Sequence, residues 1–154
     1  MSQITSIYDA LEAITVTTTS GSTPMVYNLS DLPKNADTAR LPARLLLPVG
    51  NNPGEGREGS FIAIGATMTI TWQISDLMLW QATEQGRGLP EFAPELVDYC
   101  GEYMDAMRTF KCPTSNSALE RVTVTPGIYE WPSMSGKYYS GVLCQLEILE
   151  HLHG

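Results

Sequence analysis

The strongest pattern in the chain is the run Met68-Thr69-Ile70-Thr71-Trp72-Gln73-Ile74-Ser75, apolar at every even position and polar at every odd one. Period two over this stretch predicts a β-strand with one face on a core and the other on water or a partner. Leu77, Met78, Leu79 and Trp80 then stay apolar on both sides. Such a switch predicts either burial on both faces or an outer face that meets another subunit. A second alternating run sets Val142, Cys144, Leu146 and Ile148 against Gln145 and Glu147, which predicts a strand from Tyr138 to Leu149. Leu119 to Thr125, carrying Val122 and Val124, predicts another.

Helical spacing occurs twice. Ile4, Ile7, Tyr8, Leu11 and Ile14 recur at three- and four-residue steps, which predicts a short amphipathic helix over residues 3–14 with Ser2 as a candidate cap. Leu96, Cys100, Tyr103, Met107 and Phe110 form a longer stripe, widened by Val97 and Met104, with Asp98, Glu102, Asp105 and Arg108 mostly opposite. Pro94 fits its first turn, Glu95 suits its N-terminal dipole, and Pro113 stops it.

The remaining segments read as short strands and turns. Thr15 to Thr19 are β-formers and predict the start of a strand, turned by Ser20-Gly21-Ser22. Pro24 to Leu29 predicts a short strand, and Ser30 to Leu41 a loop. The apolar run between Pro42 and Pro48 predicts a modest strand at an edge or a bend, because proline cannot donate to a ladder. Residues 50–59 are rich in glycine and predict an exposed loop between antiparallel strands. The resulting order, α-β-β-β-β-α-β-β, predicts one α+β domain over residues 1–154. Its antiparallel or mixed sheet is packed by one long helix and a short N-terminal helix. Ile70, Trp72, Ile74, Leu96, Cys100, Met107, Val142, Cys144 and Leu146 are expected in one core.

Composition narrows the function. Hydrophobic residues make up 43% of the 154, which excludes disorder. No apolar run reaches the length of a membrane helix, and the first residues lack the pattern of a secretory signal. Net charge is −8 with only nine scattered Lys and Arg, which argues against tight binding of nucleic-acid phosphates. Cys100, Cys112 and Cys144 form no C-x-x-C pair, so a zinc site is not expected. Both histidines, His151 and His153, fall in the last four residues, which leaves the interior without the commonest general base.

Chemical motifs are absent in their required contexts. No G-x-S-x-G elbow or P-loop occurs, and Gly54, Gly56 and Gly59 match a dinucleotide spacing without a following helix. Glu84, Glu91 and Glu130 sit in predicted loops, where solvated surface acids are the expected state. No catalytic residue, metal or cofactor is therefore expected. Tyr129 and Trp131 lie in a long connection, 126–137, whose aromatic tip either folds back on its own domain or anchors in a partner.

The element order and the ending Trp131-Pro132-Ser133-Met134-Ser135-Gly136-Lys137-Tyr138-Tyr139-Ser140-Gly141-Val142 resemble the tail-terminator, or tail-completion, proteins of long-tailed bacteriophages. The resemblance implies a virion protein of the tail or neck, assembled in the host cytoplasm. It implies a homo-oligomeric ring, usually of six subunits, that caps the tail-tube protein and joins it to the head–tail connector. DNA would pass through the lumen without specific binding, and no membrane is involved. On that reading Leu77, Leu79, Trp80, Tyr129 and Trp131 are candidate interface residues, and the loop acids Asp37, Glu55, Glu58 and Glu84 are candidates to line the lumen. The nearest rival is another neck, head-completion or tail-tube subunit, followed by a small ligand-binding module.

Overall fold

The computed structural model describes residues 3–34, 40–49, 60–64, 67–83, 89–112, 116–131 and 136–153. Its elements run α1 (Ile4–Glu12), β1 (Met25–Tyr27), β2 (Ala43–Leu46), β3 (Ser60–Ile64), β4 (Thr67–Ala82), α2 (Leu89–Met107), β5 (Ser117–Glu130) and β6 (Tyr138–His153). The α+β class holds. The strands form one six-stranded sheet in the order β1-β2-β4-β6-β5, with β3 beside β4. The sheet is mixed, since β1 pairs parallel with β2 and the other pairings are antiparallel.

The spine is β4 against β6, two 16-residue strands paired from Thr67↔His153 to Ala82↔Tyr139. The even positions of β4 turn toward the helices: Ile74 and Met78 are buried there with Val142, Cys144, Leu146 and Ile148 of β6. The register shifts between Leu79 and Gln81, where Trp80 has no counterpart on β6. Opposite this irregularity stands Gly141. A Cβ there would collide with the Met78 carbonyl, so the two backbones approach more closely than any side chain allows.

α2 lies on β5 and β6 and buries Phe92, Leu96, Tyr99, Tyr103 and Met107. The buried stripe is rotated from the expected one. Tyr99 lies in it, Cys100 is half-buried, and Val97 and Met104 face out at 61% and 42% exposure. The helix also begins before its expected start, at Leu89, so Pro94 lies inside it. The donor Pro94 lacks would have met the carbonyl of Pro90. Both prolines are exposed, so water reaches that carbonyl and the interruption is tolerated.

Three strand expectations change. Thr15 to Thr19 form no strand; Thr18 instead closes a turn, its N–H donating to the Ser22 carbonyl at 2.9 Å around Gly21 with φ +93°. The fourth strand in the order is supplied by β3. β2 is interior, flanked by β1 and β4, because both of its prolines lie just outside the ladder. Eight of the nine expected core residues belong to or pack against one cluster, with Trp72 and Cys100 half-buried at its margin; Ile70 is buried outside that cluster. The glycine-rich segment 50–59 lies outside the described residues.

The close approach at Gly141 generates a direct expectation. Gly141→Ala should destabilise the fold by about 3 kcal/mol, through overpacking against backbone that cannot move aside. Urea unfolding of the variant against the parent chain measures it, and an unchanged midpoint would refute this account of the irregularity.

Candidate functional site

Three of the five candidate interface residues prove to be interior. Leu77 and Leu79 have zero exposure, and Trp131 has 8%. They join Ala43, Leu45, Leu47, Tyr139 and Leu143 in a second core on the sheet face away from the helices. Tyr27, Leu32, Leu41 and Tyr129 pack against it from the side. The double-sided apolar stretch of β4 therefore signals two cores, one on each face. The Trp131 tip folds back on its own domain. Trp80 lies apart from the other four candidates, half-buried against the helix-side core. The Tyr129 hydroxyl donates to the Thr125 carbonyl at 2.6 Å, and burial pushes its pKa up to about 12. Asp37, Glu55, Glu58 and Glu84 lie outside the described residues.

The charged residues that matter most to the interior are ones the sequence pattern passes over. Arg44 on β2 and Asp76 on β4 are 1% and 0% exposed and form an ion pair, Nε to Oδ2, at 2.7 Å. The Tyr103 hydroxyl of α2 donates to the same Asp76 oxygen at 2.8 Å, and the Tyr103 ring lies 5.9 Å from the guanidinium carbon. Arg44 also donates through Nη2 to the Leu11 carbonyl at 2.7 Å and through Nη1 to the Ile14 carbonyl. It thus caps the C-terminal end of α1. Burial works to lower the Arg44 pKa, but Asp76 first, then Tyr103 and Tyr99, outweigh it and hold the guanidinium charged.

The other end of α1 is held by the opposite charge. Glu150 of β6, 1% exposed, accepts the Gln3 N–H at 3.0 Å through Oε2, while its Oε1 stands 3.4 Å from the Trp72 indole nitrogen. Helix α1 has no acid in its first turn and no base in its last. The sheet supplies both, a carboxylate at the positive end of the dipole and a guanidinium at the negative end. Asn28 adds a third tie, its side-chain amide donating to Glu12 at 2.7 Å and Asp9 at 3.2 Å.

Burial keeps the remaining interior groups protonated. It pushes up the Tyr99 and Tyr103 phenols and the Cys144 thiol, with Asp76 adding to each. A thiol held this way is a poor nucleophile. Among the described residues no group of three or more His, Cys, Asp and Glu could hold a metal, and no helix is long and apolar enough to cross a membrane. An open groove of about 700 Å³ lies between the end of α2 and the start of β5, lined by Met107, Phe110, Cys112, Ala118 and Leu119 with Arg108 and Lys111.

What the surface does offer is strand edge. β5 pairs only with β6, β3 only with β4 and the three-residue β1 only with β2, so each presents an outer side with no strand against it among the described residues.

Two substitutions test the interior. Arg44→Met should cost about 3–5 kcal/mol, because it strands a buried carboxylate, whereas Arg44→Met with Asp76→Leu should recover most of that loss. Equal losses in single and double variants, read from urea unfolding, would contradict the pairing. Trp131→Ala should lower the stability of the isolated subunit by about 3–5 kcal/mol, as for a core aromatic. An anchor awaiting a partner would leave subunit stability unchanged.

No family model, no curated protein and no solved structure matches the chain.

Proposed function

We propose that the chain is a structural virion protein, a ring-forming tail terminator. Six copies would cap the tail tube and join it to the head–tail connector while DNA passes through the lumen. The observation that carries this reading is β5, a 14-residue strand that ends the sheet and is unpaired on its outer side among the described residues. A free edge of that length is a template for another chain. Its middle, Val122-Thr123-Val124-Thr125, is β-branched and uncharged, with Glu120 and Arg121 to one side and Pro126 to the other. The register shift at Glu120, the charges there and Pro126 blunt the edge on either side, and the window between them stays open to another strand.

Two further features support a structural role. The buried side chains Arg44, Asp76 and Glu150 are committed to holding α1 and α2, and the buried phenols and thiol stay protonated. The net charge of −8, repeated around a ring, places negative potential along the DNA path, so that the duplex slides without adhering. The same free edge would also serve a tail-tube or neck subunit, which is the second reading.

The purified full chain should form closed rings in negative-stain images and in light scattering, and should bind the ends of uncapped tail tubes. A species that stays monomeric at every concentration and binds no tube end would overturn the reading. Rings that stack unaided into tubes would favour the tail-tube alternative.

A further inference from the structure

We propose that the outer edge of β5 takes up β3 of the next copy, antiparallel, so that neighbouring sheets join head to tail. This inference rests on the ring reading and names the contact that builds it. Among the described residues three strands end the sheet: β5 on one side, and β1 and β3 on the other, of which β3 is the longer at five residues against three. β5 closes one side of the sheet, and β3 lies on the other side of β4, away from β6. A chain that pairs β5 with β5 uses one edge twice, closes at two copies and leaves β3 open. A chain that pairs β5 with β3 satisfies the two longest of these edges with one contact, and that contact repeats.

Strand direction agrees. β4 runs antiparallel to both β3 and β6, and β5 runs antiparallel to β6. β5 therefore runs opposite to β3. Copies related by rotation about an axis along the strands keep these directions, so β3 arrives antiparallel to β5, the more stable ladder.

The edge chemistry agrees as well. β3 reads Ser60-Phe61-Ile62-Ala63-Ile64, five residues without charge or proline. Edge strands left in water carry lysine, proline or inward charges to prevent pairing, and β3 has none of these. Its counterpart on β5, Val122 to Thr125, is likewise free of charge. Four of the five residues of β3 can therefore pair without desolvating a charge, and the fifth falls against Arg121 or Pro126. Beside this edge, α2 rests on β5 and β6 and leaves Val97 and Met104 exposed at 61% and 42%. Both lie on the side of α2 turned away from Asp98, whose carboxylate is taken by the Thr19 N–H at 2.8 Å. They offer the incoming subunit apolar surface next to the ladder.

The test uses the full chain in two ways. In the unaltered protein, hydrogen exchange is compared between dilute and assembled samples. The amides of residues 60–64 and 122–125 should slow together by ~10-fold or more on assembly. In a second arm, Thr123→Cys is combined with Ile62→Cys, and disulfide formation is read on non-reducing gels against the unaltered chain and each single variant. The double variant should give a ladder of cross-linked species up to the ring, and neither single variant should. A ring in which neither segment gains protection, or in which Thr123→Cys alone gives a cross-linked dimer, overturns this contact while leaving the ring reading intact. A chain that never assembles overturns both.

Discussion

Four elements meet at one buried guanidinium. Arg44 reaches from β2 to Asp76 on β4, to the last carbonyls of α1, and under the Tyr103 ring of α2. Removing two charges from water costs several kcal/mol per ion, and the pair repays it only because the partners are complete on the guanidinium side. Asp76 Oδ2 receives both Arg44 and Tyr103, while Asp76 Oδ1 and the Tyr99 hydroxyl have no hydrogen-bond partner among the described atoms. An arrangement this specific tolerates one placement of α1 and α2 over the sheet. An apolar substitute would bury as much surface without fixing the orientation of either helix.

That placement determines what is left for function. With α1 clamped between Glu150 and Arg44, and α2 seated through Tyr103, the helix side of the sheet is closed. On the opposite side Trp131, Tyr129, Tyr27, Leu32 and Leu41 pack over Leu77, Leu79 and Leu143. At that end of the sheet both faces bury core of the chain itself, while Thr123 and Thr125 of β5 stay exposed. Hydrogen-bonding capacity remains at the strand edges, where β5, β3 and the short β1 each have an outer side with no strand against it among the described residues. A surface of that kind recognises another strand by its backbone. It suits a stoichiometric assembly, in which the same contact is made many times, better than a pocket for one ligand.

The local pattern of the chain already determined the class of the fold. Alternation identified β4, β5 and β6, helical spacing identified α1 and α2, and the element order was correct even though its first predicted strand was a turn and β3 stood in its place. These signals are local: side chains repeat with the period of the element that buries them. The buried centre was missed, although a signal for it was present. Asp76 sits at an even position of β4, among residues that face the core, and a carboxylate there requires a cation; Arg44, inside an apolar run, is the candidate. Leu77 and Leu79 were read either as buried on both faces of β4 or as meeting another subunit, and the chain's own second core covers them. Whether that cover is another subunit or the chain's own Trp131 depends on a contact between segments far apart in sequence, and no local period encodes it. The rotation of α2 toward Tyr99, the tolerance of Pro94, and the Gly141 approach to Met78 were decided in the same way. Each depends on which backbone lies opposite, and only tertiary packing sets that.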